Sequence, residues 1–280
     1  MSIRHKKYIY VLIAGLILLI AGISFSAAKN DTPAQTLEAG SYEAAVSRGL
    51  EYLRNNESKV SPLQWLMLDY LQRKFELDTY FSAATKTIKP PETEPDASDF
   101  RIHSRIAYPD KLVDSLPLDG ASPMRQMMMA ATHCDRIPLP QHFDELLRKN
   151  IEAGGYDLTH VAYSLERMQE NGCPLPDKQD KQIREQVAGR IAALVTAPNT
   201  SPDLRYEAIT FLMHMRRRDL VKPEWIDQIV AEQQSDGGWK VTKNAQASND
   251  HATFLAVWGI LEYSHSDARS EPVLRRIGNR

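Results

Sequence analysis

Residues 225–239 end on the run Gln234-Ser235-Asp236-Gly237-Gly238-Trp239, and this run indicates how the chain is built. Upstream of it, Trp225, Ile226 and Ile229 have the spacing of one apolar helix face. The glycine pair lets the chain reverse direction where two helices nearly touch, and the tryptophan can cover that reversal. We expect the glutamine to satisfy exposed amides at a helix end. The run therefore predicts a helical hairpin.

The same order of signals recurs along the chain. Phe143 to Asn150 leads into Gly154-Gly155-Tyr156, and another helical pattern follows. Prolines at 138, 174 and 223 stand where new helices are expected to begin, because proline suits the first helical turn. These elements lie about 36 to 47 residues apart, a period typical of helical-hairpin arrays. Ser41 to Tyr70 also has helical spacing, whereas the proline-rich stretch near 86–98 predicts an exposed loop.

The Gly-Gly-Trp run resembles the Gln-Trp repeat of squalene and hopene cyclases, and related forms occur in the β subunits of protein prenyltransferases. The match is most specific over residues 225–262 and looser over 143–170, where Tyr156 replaces the tryptophan. In this terpenoid cyclase and protein prenyltransferase-like superfamily, outer and inner rings of antiparallel helices form an α/α toroid. The resemblance therefore implies an all-α domain over residues 41–275, made of toroid-like helical-hairpin repeats in a closed or an incomplete ring.

The catalytic motifs of this superfamily are not reproduced in the sequence. Neither the Asp-x-Asp-Asp acid of the cyclases nor an Asp-Asp-x-x-Asp diphosphate site occurs. Asp157 to Leu165 resembles the helix that carries a zinc-binding histidine in the prenyltransferases, but Cys134-Asp135 departs from their Asp-x-Cys pair. No cofactor is clearly indicated and no metal ligands are assigned, and zinc is the less favoured option.

Four residues form the candidate catalytic group, namely Asp157, His160, Asp250 and His251. Asp157 and His160 are three residues apart, so they share one face of a helix. Asp250 and His251 begin the corresponding helix of the next repeat, and in a toroid such helix starts line one mouth of the central cavity. Imidazoles and carboxylates that converge there could act as acid and base or bind a ligand. In the alternative interpretation, Asp157 and either Asn249 or Asp250 are helix N-caps.

Aromatic side chains near these positions are the candidate substrate contacts. They are Tyr156, Tyr163 and Trp239. An aromatic-rich cavity would favour a lipid-like ligand, whereas a cavity rich in polar groups would favour a sugar.

The two cysteines occupy matching positions at the ends of predicted helices. In an oxidising exterior, Cys134 and Cys173 could form a disulfide. Equivalent positions in neighbouring hairpins are often too far apart to bridge, so the alternative is a pair of free thiols.

The N-terminus has the pattern of an export signal. Residues 8–28 contain no charged side chain, and about 20 helical residues are enough to cross a bilayer. Arg4, Lys6 and Lys7 precede them, so the positive-inside rule places residues 1–7 in the cytoplasm and the remainder across the membrane. We expect a single-pass anchor in the cell (inner) membrane, a linker over 29–40 and an external domain. The alternative is a signal peptide cleaved after Ala28, which would release a periplasmic or secreted protein.

Composition narrows the classes of function. The 280-residue chain has a formal net charge of -2 and 25% charged residues, which are ordinary globular values. A nucleic-acid binder would need a basic face, and no nucleophile elbow, Walker loop or His-Glu-x-x-His motif occurs. We therefore expect a membrane-anchored binding or scaffold module that meets a protein partner or a cavity ligand. The alternative is a toroid enzyme that acts on a glycan or an isoprenoid-like ligand.

Overall fold

The computed structural model describes residues 39–56, 62–77, 120–268 and 271–273. The predicted segments 1–7 and 8–28, residues 29–38 of the predicted linker and the predicted loop near 86–98 lie outside the described residues. Within the described ranges, no helix is long and apolar enough to cross a membrane.

Helices make up the regular structure of the described part of the chain, which confirms the all-α prediction. They are α1 (Ala39–Asn55), α2 (Pro62–Phe75), α3 (Pro123–His133), α4 (Phe143–Ala153), α5 (Gly155–Asn171), α6 (Asp177–Thr196), α7 (Pro202–His214), α8 (Pro223–Ala231) and α9 (Asp250–Ser264). A 3-10 turn at Arg218–Leu220 precedes α8. Trp239 and Asn249 form an isolated antiparallel bridge, and no longer strand occurs in the described ranges.

Alternate helices pack on one another. Helices α3, α5, α7 and α9 lie side by side in that order, and α1 and α2 both contact α9. Helix α4 packs against α3 and α5, α6 packs against α5 and α7, and α8 packs against α9 and α1. Helix α7 is buried on every side except at Leu204, whereas α6 buries only the stripe of Val187, Ala188, Ile191 and Val195. A helix that is apolar all round belongs in the interior, and one with a single apolar stripe covers it from outside.

The helix starts follow the local signals in the sequence. Pro123, Pro202 and Pro223 are each the first residue of a helix, where the missing N–H costs no hydrogen bond. The hydroxyls of Ser122 and Ser201 cap the helices that follow them, and each accepts a hydrogen bond from a first-turn backbone N–H at 3.3 Å. Of the three prolines predicted to begin helices, only Pro223 does so, because α4 begins at Phe143 and not at Pro138, and α6 begins at Asp177 and not at Pro174.

The glycine pair at 237–238 lies where the chain reverses between α8 and α9. Gly237 has a φ of 88°, and a Cβ there would lie 2.6 Å from the backbone oxygen of Arg48 in α1. A side chain at this position would therefore be strained and would push α1 away. Trp239 is fully buried beneath the reversal, and its indole N–H donates to the Ile229 carbonyl at 2.7 Å.

The glutamine that stabilises this reversal differs from the predicted one. Gln233 donates from Nε2 to the carbonyls of Ala45 and Gly237, at 2.9 and 2.8 Å, and its Oε1 accepts from Arg48. Gln234 bonds only locally, to the Glu232 carbonyl at 2.6 Å. The expectation that the glutamine satisfies helix-end amides is therefore wrong in detail, because carbonyl groups are what the reversal leaves open.

Cys134 and Cys173 form a disulfide, with their Cα atoms 6.2 Å apart. Cys134 follows the last residue of α3, and Cys173 comes two residues after α5. Because α3 and α5 pack directly on one another, equivalent positions at their ends are close enough to bridge. The Asn171 amide reinforces the same junction by donating to the carbonyls of Ala131 and Thr132, at 3.1 and 2.9 Å.

Candidate functional site

Five helices surround one small cavity, which we call the central pocket. Its volume is about 90 Å³. Helices α2, α3, α5, α7 and α9 each contribute to its lining, which consists of Gln64, Met67, Met128, His160, Tyr163, Glu207, Phe211, His251, Phe254, Leu255 and Trp258. Helices that lie far apart in the sequence therefore line a single open pocket.

Aromatic rings form much of the pocket wall and meet edge to face. The ring centroids of Tyr163 and Phe211 are 6.0 Å apart, and those of Phe211 and Trp258 are 5.8 Å apart. Phe254 and Trp258 are tilted at 48° with centroids 5.6 Å apart. Such pairs stabilise one another beyond simple burial, by about 0.5–1.5 kcal/mol each. The wall is therefore rigid and apolar.

His251 stands at the mouth of this pocket with its orientation fixed by a buried carboxylate. Its Nδ1 lies 3.0 Å from Oδ1 of Asp203, and 46% of its side chain is exposed, against 3% for Asp203. Oδ2 of Asp203 accepts a hydrogen bond from the Tyr156 hydroxyl at 2.6 Å. Among the described residues, none contacts Nε2 of His251 through a hydrogen bond, so this nitrogen is available to a ligand.

Neighbouring carboxylates raise the pKa of His251. Burial of the ring by itself lowers that pKa, because it disfavours the charged form. The hydrogen bond to Asp203 and the negative charges of Asp203, Glu207 and Asp250 outweigh burial. His251 therefore holds its proton to a higher pH than an isolated histidine.

His160 approaches the same mouth from α5. Its Nδ1 lies 2.7 Å from the Tyr156 carbonyl oxygen, so Nδ1 carries a hydrogen and donates it to that oxygen. The same Nδ1 is 3.6 Å from Oε1 of Glu207. Glu207 is buried and accepts a hydrogen bond from the Thr159 hydroxyl. Burial raises the pKa of Glu207, and the contacts with His160 and Thr159 oppose that shift.

Asp203 and Glu207 were missed by the analysis of the sequence. They lie four residues apart on α7, so both project from one face toward α5 and α9. The available signal was a pair of carboxylates at the start of a largely apolar helix, directly after Ser201-Pro202. Carboxylates are rarely buried without partners, and such a pair should have been considered with the histidines.

The predicted acids have different surroundings. Asn249, and not Asp250, caps α9, since its Oδ1 accepts from the backbone N–H groups of His251 and Ala252 at 2.9 and 3.1 Å. Asp250 acts on His251 through its charge. Asp157 lies in the first turn of α5, whose N-cap is Gly154, so Asp157 is not an N-cap. Neither aspartate forms a side-chain hydrogen bond or ion pair with another described residue.

The predicted substrate contacts separate into two groups. Tyr163 lines the central pocket, and Tyr156 is 40% exposed beside its mouth, where it bonds to Asp203. Hydrogen bonding and burial raise the pKa of Tyr156, with burial the larger cause. Trp239 does not line the pocket and is fully buried under the α8–α9 reversal. Its position therefore indicates a structural role.

No group of three or more His, Cys, Asp or Glu side chains is placed to hold a metal ion among the residues that the structure describes. Cys134, which the sequence offered as the nearest counterpart to a zinc thiolate, is oxidised in the disulfide.

A larger cavity, which we call the charged cleft, lies at the opposite ends of the same helices. Its volume is about 890 Å³, and its lining includes Tyr70, Lys74, Glu170, His214 and Glu262. Lys74 pairs with Glu262 at 2.6 Å, and Arg184 pairs with Glu166 and Asp180. Because many charges of the charged cleft already pair with one another, the cleft should attract a ligand less strongly than the pocket mouth does.

Comparison of the chain with protein-family models, with curated proteins and with solved structures finds no significant match.

Proposed function

We propose that this protein is a binding module whose ligand inserts a small group into the central pocket. The observation that carries the proposal is the arrangement of the pocket mouth. There, His160 and His251 are each held at Nδ1 by a protein acceptor, which leaves Nε2 of both rings free to bind. Fixed polar groups above an apolar cavity are the usual composition of a ligand site.

The size of the pocket limits what can enter it. A volume of about 90 Å³ equals roughly three water molecules at about 30 Å³ each. It therefore accommodates the end of a ligand or one side chain of a partner, and the rest must lie across the exposed mouth. A single buried anchor of this kind can supply much of the affinity of a larger contact.

Three further proposals concern the setting of this module. The alternation of interior and covering helices around one pocket supports an α/α-toroid arrangement and a relationship to the terpenoid cyclase and prenyltransferase-like superfamily. The disulfide supports an oxidising compartment outside the cytoplasm. Residues 8–28 would anchor the domain in the membrane.

A pair of matched substitutions on α3 tests the binding function. Met128 lines the pocket, whereas its neighbour Met129 is equally buried but does not. The full-length chain in detergent is titrated with 3,3-dimethyl-1-butanol, whose tert-butyl group fits the pocket, and its melting temperature is recorded. A ligand at ten times its Kd stabilises the fold by about 1.4 kcal/mol. We expect stabilisation of the wild type and of Met129→Phe, and none of Met128→Phe. Equal responses of the two variants would contradict pocket binding.

The second candidate function is acid–base catalysis on a glycan or an isoprenoid-like substrate. The hydrogen bond from His251 to the buried Asp203 favours it, because a carboxylate that orients one ring nitrogen leaves the other to transfer a proton. Turnover of a panel of glycans and prenyl diphosphates is the test. Activity that is present in the wild type and abolished in His251→Gln would establish this function. Activity that survives this substitution would exclude His251 as the base.

A further inference from the structure

The central pocket combines aromatic walls with a single buried carboxylate. Phe211, Phe254 and Trp258 supply rings, and Glu207 supplies the only carboxylate among the described residues of the lining. No lysine or arginine is present among the described residues that line it. The faces of aromatic rings carry negative charge density and attract cations. The lining is therefore apolar and yet electrostatically negative.

Carboxylates also stand at the pocket mouth. Asp203 and Glu207 of α7 and Asp250 at the start of α9 all act on His251 through their negative charge. The helix dipoles and the proton on His251 partly offset these charges, and each helix end carries only about half a unit of positive charge.

A desolvated cation already lies in this interior. The guanidinium carbon of Arg167, one helical turn beyond Tyr163 on α5, is 4.8 Å from the centroid of the Tyr163 ring. Arg167 is fully buried, and its Nε and Nη1 have no hydrogen-bond partner among the described residues. Its Nη2 pairs with Glu170 at 2.8 Å and lies 3.0 Å from Nε2 of His214. An aromatic ring and a carboxylate therefore already stabilise one buried cation on α5, and the same two kinds of group line the central pocket.

We propose that the central pocket binds the methylated ammonium group of a small organic cation. This inference rests on the proposed binding function and names its ligand class. Three methyl groups, each about the size of a water molecule, would occupy about 90 Å³, which matches the pocket. A methylated ammonium has few or no N–H groups that need an acceptor, whereas the ammonium group of a lysine has three. An aromatic pocket with one carboxylate therefore fits a methylated ammonium better than a lysine side chain.

The carboxylates at the mouth also restrict the rest of the ligand. A phosphate next to the ammonium group, as in a choline phospholipid headgroup, would lie near Asp203 and Asp250 and be repelled by them. The pocket therefore selects a free cation such as choline over its phosphorylated form. Nε2 of His160 and of His251 forms no hydrogen bond with another described residue, so each nitrogen is available to a ligand hydroxyl.

Two molecules of equal shape test the proposal. Choline has a positively charged nitrogen where 3,3-dimethyl-1-butanol has a neutral carbon. Each compound is titrated into the full-length chain in detergent, and its binding is measured by calorimetry. We expect choline to bind at least tenfold more tightly than the alcohol, and phosphocholine to bind more weakly than choline. Equal affinities for choline and the alcohol would overturn the cation proposal and leave the binding function standing. Binding of neither would overturn both.

Substitutions in the central pocket test whether choline binds there. Glu207→Gln should weaken choline binding at least tenfold and leave binding of the alcohol within twofold, since only the charge is lost. Glu232→Gln is the matched control, because Glu232 pairs with Arg205 and Tyr206 and does not line the pocket. Phe254→Leu keeps the site apolar but removes a ring, and it should weaken choline more than the alcohol. Unchanged selectivity in both pocket variants would overturn the proposal, as would tighter binding of phosphocholine than of choline.

Discussion

Removal of the disulfide between Cys134 and Cys173 should cost the fold a large part of its stability. The two cysteines are 39 residues apart in the sequence, and the bond closes a loop of that length in the unfolded chain. The loop-entropy relation then gives about 13 cal/mol/K, or about 4 kcal/mol at 25 °C. Single domains are stable by about 5–15 kcal/mol in total, so the loss should be readily measured.

The native contacts near the disulfide should survive its removal. Asn171 still donates to the carbonyls of Ala131 and Thr132, and α3 still packs on α5. The stability change should therefore arise mainly in the unfolded state. Urea unfolding of the full-length chain is compared between the wild type and a double variant, Cys134→Ser with Cys173→Ser, which leaves no unpaired thiol.

Reduction provides an independent control for the double variant. A thiol reductant should lower the unfolding midpoint of the wild type to that of the double variant, and it should not affect the variant itself. A loss of less than 1 kcal/mol in the double variant would refute the entropic reasoning. Detection of two free thiols in the oxidised, unfolded wild-type protein would refute the pairing itself.

Two further predictions concern pH and packing. The pKa of His251 is raised above its ordinary value of 6.5, so the stability it contributes is complete below about pH 6.5 and lost as the pH rises through the folded-state pKa. Asp203→Asn should therefore flatten the dependence of unfolding free energy on pH between about 6 and 8, and an unchanged slope would contradict this assignment. A Cβ at Gly259 would lie 2.8 Å from the Thr210 hydroxyl oxygen, so Gly259→Ala should destabilise the fold by about 1–3 kcal/mol. At Gly189 nothing lies within 4 Å of the Cβ position, so Gly189→Ala should stabilise the fold by up to about 1 kcal/mol. Thermal unfolding of the two variants is the measurement, and similar effects of both substitutions would contradict the packing argument.

Helix boundaries could be predicted because the groups that decide them are neighbours in the chain. Pro202 and Pro223 begin helices since their backbone conformation suits a first turn, whatever lies around them. Gly237 adopts a positive φ that other residues rarely reach, so a glycine there indicates a reversal. The spacing of these signals gave the succession of helices without knowledge of their packing.

The functional site could be predicted only in part. The two histidines were selected from their positions at helix starts, and both line the central pocket. Their carboxylate partners could not be assigned, because Asp203 lies 48 residues from His251 and Glu207 lies 47 from His160 along the chain. Trp239 shows the converse difficulty, since an aromatic residue beside a reversal can face either a cavity or the core.

The amino-acid sequence by itself determined the helical class, some of the helix starts and the residues from which a site could be built. Those properties depend on backbone preferences and apolar spacing over a few residues, and these act locally. Tertiary structure alone decided that α7 lies in the interior, that its two carboxylates meet histidines from α5 and α9, and that five helices line one pocket. Burial and charge at that pocket depend on helices separated by tens of residues, so only their packing brings the chemistry together.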